Sequence, residues 1–412
     1  MANGLVWHRR VLSNGLRVLF LSKPSANTVQ LSVVVEFGSN SEVEAESGLA
    51  HFLEHMLAGG SDERIQKARS IESYGGNLNF YTEHDYTMSF VDVLPESLPK
   101  ATQVLSELLF DNSFDEEKFV SEREVILHEL AEASDDPATL IDELFLKNLF
   151  EKHPVSRPIG GYPETLKKLS LSQLKDAHKV AYGPQNMILM LMGNLSDKQI
   201  QEVLIHFESK PKQQKLTKQF QSQEITKPVK KVCKSKHGLT QTYLNLGTQT
   251  VNASHVDAPK LDLISMILGG GTSSRLFTEL REKRALTYDV VASHIKGLDF
   301  GHLSISCAVK NSNTDKTCKL IFNELNKLRN EQILEEELER NKKLMLSGIL
   351  RGIDSPDTCQ DILAYMEIQF NHEEALTDYL NKIKATTTVD ILRVAQIYLQ
   401  EDKIITAILK PK

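Results

Sequence analysis

Two histidines four residues apart enclose a glutamate in the segment His51-Phe52-Leu53-Glu54-His55. On a helix, imidazoles at i and i+4 stand one turn apart on one face, which suits joint coordination of a single ion. Glu54 falls beside them and is not needed as a ligand, so it can take a proton from a water activated at the metal. Zinc in such a site lowers the pKa of its water to roughly 7, and the product is a nucleophile fit to attack a carbonyl. The order is inverted relative to His-Glu-x-x-His, yet the same groups reach the same face. The bland alternative is an amphipathic helix with two unrelated histidines. Such a helix buries Phe52, Leu53, Met56 and Leu57 and leaves His51, Glu54 and His55 as a polar stripe. Burying that stripe without an ion leaves polar groups unpaired, at a cost of a few kcal/mol.

A catalytic zinc takes three protein ligands and keeps a fourth position open. Ser113 and Glu116 have capping-box spacing, which predicts a long charged helix from about residue 114 to 133. That helix carries Glu122, Glu124, Glu129 and Glu132. Glu122 and Glu129 lie two turns apart and share a face, and Glu132 follows Glu129 by three residues. Any one of them alone is more often a solvated surface carboxylate than a ligand, and spacing does not choose among them.

The elements that must position these groups are legible in outline. Alternating apolar runs predict strands over 15–21, 29–35, 87–93 and 186–192. Helices are expected over about 44–57, over 63–74 (stopped by Gly75-Gly76), over 95–110 and over 197–207. A Lys- and Gln-rich stretch then separates an N-terminal domain, 1–208, from a C-terminal domain, 237–412, with 209–236 as the linker. The second half restarts the same plan. A strand over 242–247 answers 29–35, and the stretch 261–275 answers the His51 helix and its glycine end, with Gly269-Gly270-Gly271 echoing Gly59-Gly60. In that register Asp262, Ser265 and Met266 stand where His51, Glu54 and His55 stand, so only the first copy holds a metal motif. The mixed order of elements predicts an α+β fold: two homologous α/β sandwiches, each a largely antiparallel mixed sheet with helices packed on one face. The glycine triplet follows a helix, whereas a phosphate-binding loop follows a strand.

Composition narrows the class. The 412 residues are 41% hydrophobic and 25% charged, as in an ordinary globular protein of two domains. The first 209 residues carry 18 basic and 31 acidic side chains and the remainder 30 and 24, so an overall charge of −7 hides an acidic and a basic half. The basic excess lies in the linker without interleaved aromatics, which gives nucleic-acid binding no support. Four cysteines without CxxC spacing read as reduced thiols. No signal peptide and no membrane-spanning run is visible, so a cytoplasmic location is expected.

His51 to His55, followed some seventy residues on by Glu122-Arg123-Glu124-Val125-Ile126-Leu127-His128-Glu129, resembles the pitrilysin/insulinase superfamily of inverted-motif zinc peptidases. The likeness is to the mitochondrial processing peptidase and to single-half bacterial zinc proteases, and it extends through most of the chain. It implies that His51, His55 and Glu129 bind one zinc per chain, that Glu54 is the general base, and that Glu122 orients the site. Gly75-Gly76-Asn77-Leu78-Asn79-Phe80-Tyr81-Thr82 resembles the family's edge strand, to which a peptide adds as an extra β-strand. Asn77, Asn79, Phe80, Tyr81 and Thr82 are the substrate-binding residues this implies, although the family usually has a small residue in place of Phe80. Arg281-Glu282-Lys283-Arg284-Ala285-Leu286-Thr287-Tyr288 resembles the segment whose Arg and Tyr serve the active site. Arg281 would hold a substrate carbonyl and Tyr288 would donate to the developing oxyanion. The activity implied is endopeptidase cleavage of short or unfolded peptides by a homodimer or by a heterodimer with a related chain. The alternative is a non-catalytic, structural or substrate-gripping subunit of a processing peptidase.

Overall fold

A computed structural model describes residues 7–216 and 231–412. The first half runs β1 (Trp7–Val11), β2 (Arg17–Ser22), β3 (Val29–Val35), α1 (Leu49–Gly59), α2 (Asp62–Ser73), β4 (Asn77–Thr82) and β5 (Thr87–Val93). It continues through α3 (Leu98–Phe110), α4 (Glu116–Asp135), α5 (Pro137–Phe150), the single turn α6 (Pro163–Leu166), α7 (Leu171–Ala181), β6 (Met187–Gly193) and α8 (Asp197–Glu208). The second half runs β7 (Lys231–Lys236), β8 (Thr242–Gln249), α9 (Ala258–Gly269), a π-helical turn (Phe277–Glu282), β9 (Thr287–Lys296) and β10 (Gly301–Val309). It ends with α10 (Thr314–Asn330), α11 (Glu335–Asp354), α12 (Pro356–Phe370), α13 (Ala375–Ala385), α14 (Thr388–Tyr398) and β11 (Ile405–Pro411). Of the expected linker, residues 217–230 lie outside the described residues, and its last six form β7.

The two sheets have one topology. The first is ordered β1-β2-β6-β3-β5-β4 and the second β7-β11-β8-β10-β9. Apart from β1, which adds antiparallel outside β2 and has no counterpart in the second sheet, each begins with a parallel pair (β2 with β6, β7 with β11) and continues with antiparallel pairs. The repeat read from the sequence is therefore a repeat of strand order and direction, and the fold is the expected pair of α/β sandwiches.

By contact, the chain forms two compact units that do not follow the halves. Among the described residues, unit 1 is 7–131, 157–216 and 352–373, and unit 2 is 132–156, 231–351 and 374–412. Each half thus lends a helix to the other unit: α5 belongs to unit 2 and α12 to unit 1. The central strand β3 explains why unit 1 takes one. All seven of its residues are buried, but they alternate in chemistry. Val29, Leu31, Val33 and Val35 join Phe52, Leu53, Met56 and Leu57 of α1 and Leu105, Leu108 and Leu109 of α3 in one apolar core. Gln30 and Ser32 point the other way, where Gln30 donates to Asp357 at 3.1 Å and Ser32 to Gln360 at 2.6 Å. Glu367, at the far end of α12, accepts from Arg9 at 3.0 Å and pairs with Arg17 at 3.5 Å. A polar face of the sheet is thus closed by a polar helix, which satisfies groups that would otherwise be buried alone. In unit 2, α5 covers β8 and β11 with Ile141, Phe145 and Leu149.

Glycines set two helix ends. The helix expected over 44–57 begins at Leu49, because Gly48 adopts φ +97°, and residues 44–46 form a separate 3-10 turn. Within the stretch 261–275 the helix α9 ends at Gly269, where a Cβ would collide with the Ala292 backbone and Ala292 Cβ of β9. That close approach is what the glycine triplet permits. Ser113 does not cap α4; its hydroxyl bonds the Asp111 carboxylate, and the helix begins at Glu116.

Candidate metal centre

Helix α1 buries Phe52, Leu53, Met56 and Leu57 completely, so its remaining face must carry His51, Glu54 and His55. Its first turn is tied down from a distance. The Glu42 carboxylate accepts from the Gly48 and Ala50 N–H groups at 2.9 and 2.7 Å, doing the work of an N-cap. Burial pushes the Glu42 carboxyl up to about 8, against the pull of those bonds and of Arg157. Arg157 in turn donates to the Glu42 carbonyl at 2.7 Å.

Helix α4 docks on α1 through Phe119, stacked on Phe52 with ring centroids 4.8 Å apart, and through the fully buried Ile126. Positions 119, 122, 126 and 129 share one face, so this packing carries Glu122 and Glu129 toward α1. His55 Nε2 lies 3.4 Å and His51 Nε2 3.9 Å from Glu129 Oε2, and donor atoms of all three side chains lie within 4.8 Å of one another. Among the described residues this is the one grouping of His, Cys, Asp and Glu at metal-ligand separations. Ligands about 2.0–2.2 Å from a tetrahedral zinc stand roughly 3.3–3.6 Å apart, so two imidazole nitrogens and one carboxylate oxygen fit the ion after a small contraction. Burial, with His55 nearby, lowers His51 to about 4, which keeps it in the neutral, metal-binding form.

The supporting carboxylate is also in place. Glu122 Oε2 lies 3.3 Å from His55 Nδ1, the ring nitrogen that faces away from Glu129. Burial alone would lower His55, but Glu122, Glu129 and Glu54 together hold it above its ordinary value. Room for Glu122 comes from Gly59, where a Cβ would stand 2.5 Å from Glu122 Oε1. Glu124 and Glu132, the other two candidates on α4, are exposed like Glu129 but stand outside the grouping. Burial raises Glu54, partly offset by a hydrogen bond that its Oε2 accepts from Thr82 at 2.6 Å.

Strand β4 is an edge of its sheet. Leu78 and Phe80 pack on the apolar core, and the Tyr81 hydroxyl on the opposite side donates to Asp361 at 2.5 Å. The Phe80 N–H bonds Asn79 Oδ1 at 2.9 Å, so it points to the free side of the strand. Asn77, at the start of β4, is exposed. In unit 2, the Arg281 guanidinium lies over the rings of Tyr288 (4.5 Å) and Phe277 (4.7 Å), and Tyr288 is 81% exposed. In the same unit Asp262, the counterpart of His51, is buried and saturated by His294 at 2.7 Å, Lys296 at 2.6 Å and Tyr379 at 2.6 Å. Glu42 and the recess at Gly59 escaped sequence reasoning, since both act through contacts with no local pattern. No helix among the described residues is long and apolar enough to cross a membrane.

The chain is similar to known proteins over most of its length. Residues 17–162 match the profile of Insulinase (Peptidase family M16), and residues 168–345 that of the Peptidase M16 inactive domain. An uncharacterized zinc protease of Rickettsia bellii is 31% identical over 82% of this chain and 82% of its own. One of Bacillus subtilis is 27% identical over 96% of each. The crystal structure of a protease from Helicobacter pylori superposes with a TM-score of 0.93 at 24% identity, covering 99% of this chain and 100% of the other. An M16 inactive-domain structure from Pseudomonas fluorescens gives 0.88 at 22%, over 99% and 98%. With the two profiles spanning most of its length and a relative above 30% identity, the chain belongs to the insulinase family, peptidase family M16.

Proposed function

We propose that the chain is a zinc-dependent metalloendopeptidase acting on short or unfolded peptides, with one zinc held by His51, His55 and Glu129. The observation that carries this reading is the convergence of those three donors beside Glu54. Bound there, zinc would polarise the scissile carbonyl and acidify water. Glu54 takes the proton of the attacking water and returns it to the leaving amine, and its burial raises its affinity for that proton. Glu122 fixes the ring of His55 through Nδ1. The substrate lies along the free edge of β4 from Asn77 to Thr82, bonding backbone groups such as the Phe80 N–H. Arg281 and Tyr288 form one surface feature, a guanidinium stacked on an exposed phenol. In this reading Arg281 holds a substrate carbonyl and Tyr288 donates to the oxyanion. A working chamber takes two chains, either two copies of this one or this one with a relative.

Purified protein is expected to carry about one zinc per chain and to cut a quenched fluorescent peptide, with activity lost to a chelator and restored by zinc. Glu54→Gln should retain zinc and lose roughly 100-fold or more of kcat. Full activity in that variant overturns the base assignment. The second reading, a non-catalytic subunit, draws on the likeness to the M16 inactive-domain structure and predicts zinc without cleavage.

A further inference from the structure

The resemblance places Thr82 among substrate contacts, but its side chain is turned inward. It is 8% exposed and sits on the α1 side of β4 with Leu78 and Phe80. Its hydroxyl donates to Glu54 Oε2 at 2.6 Å, the distance of a charge-assisted bond. Thr82 is itself held in register opposite Thr87 on β5. The Thr87 hydroxyl gives its own proton to the Phe37 carbonyl at 2.9 Å and stands 3.5 Å from the Thr82 hydroxyl, so the much nearer Glu54 carboxylate, which only accepts, takes the Thr82 proton. A glutamate has three rotatable side-chain bonds, and burial alone does not select one of its rotamers. With Oε2 engaged, Oε1 is the oxygen left to receive a proton from water.

We infer that Thr82 is a positioning residue: it fixes the Glu54 carboxylate to the end of β4, so that the strand that receives the peptide also aims the base. This rests on the reading of Glu54 as the base. It adds a mechanical link between two parts of the site, the edge strand and the catalytic helix.

Thr82→Val keeps the shape of the side chain and removes the donor, while Thr82→Ser keeps the donor. A misaimed catalytic group costs up to roughly 100-fold in rate. Thr82→Val is therefore expected to lower kcat about 10- to 100-fold on the quenched peptide, with KM and zinc affinity within about twofold of wild type. Thr82→Ser should restore most of kcat. In crystals of the zinc-free proteins, the Glu54 carboxylate should leave its wild-type rotamer in Thr82→Val alone. The inference is overturned if Thr82→Val keeps the wild-type kcat, if it raises KM at constant kcat (a substrate contact), or if it weakens zinc binding (a purely structural role). An unmoved Glu54 in the Thr82→Val crystal also overturns it. A wild type that binds zinc but cuts no peptide defeats the proposed activity, and the crystals still decide whether Thr82 aims Glu54.

Discussion

At the scale of single residues, the centre is governed by what stands behind the ligands. Glu122 reaches His55 Nδ1 only because position 59 has no side chain. Glu122→Gln should weaken zinc binding roughly 10- to 100-fold, as is usual when a carboxylate behind a ligating histidine is removed. Gly59→Ala should weaken it less, because the clash is with Oε1 at the flexible end of Glu122, which can shift aside while Oε2 keeps part of its contact with His55. Both are read by competition with a chromophoric chelator, and equal affinity across wild type and both variants would show that Glu122 does not support the site. His51, Glu54 and His55 were legible in the sequence because helical spacing alone puts them on one face. Glu129 was not separable from Glu122, Glu124 and Glu132 by spacing; the stacking of Phe119 on Phe52 is what decides which carboxylates stand beside the histidines. Glu42 was illegible because a cap delivered from outside the helix leaves no mark at fixed spacing.

At the scale of elements, the sequence gives strand and helix identity well and helix ends poorly. The early start at 44 fails at Gly48, whose role depends on long-range neighbours. The packing of α7 on α3 carries a pH prediction. His178 of α7 is buried, stacked on Tyr182, with Nε2 2.8 Å from the Leu109 carbonyl of α3. Burial lowers it to about 4, against an ordinary 6.5. Between those values the unfolded chain binds a proton that the folded one refuses. The contribution is therefore complete above pH 6.5 and is lost as pH falls toward 4. Urea unfolding should show a loss of roughly 2 kcal/mol between pH 7 and pH 5 from this group. His51 pulls the same way in metal-free protein, so the decisive comparison is wild type with His178→Gln, in which the slope should flatten. An unchanged slope would place His178 outside the acid response.

At the scale of the whole molecule, the two sheets share an order that the sequence echo anticipated, but the exchange of α5 and α12 was not readable. Asp357, Gln360 and Glu367 look like the solvated face of an ordinary surface helix, yet Gln360 and Glu367 are each 2% exposed. They are buried because β3 presents Gln30 and Ser32 to them and the N-terminal strands present Arg9 and Arg17. Glu367→Ala takes the carboxylate from Arg9 and leaves the buried Arg17 with Glu36 alone, at 2.7 Å, and should cost about 2 kcal/mol in urea unfolding, as for the loss of charged hydrogen bonds. A loss below about 0.5 kcal/mol would mean the pair is no more than a surface contact.

The lent helices also bear on how this gene can be divided. Every side chain of the candidate metal site falls within the first 131 residues, which invites expression of the first half alone. That fragment would lack α12, and the polar back of its sheet would meet water or another fragment's sheet. Splitting the gene between Leu216 and Lys231 should yield two pieces that are insoluble or partly unfolded apart. Co-expressed, they should be recovered together as one zinc-binding particle, each completing the other with a helix. A first half that is soluble, folded and zinc-loaded by itself would show that the borrowed helix is dispensable.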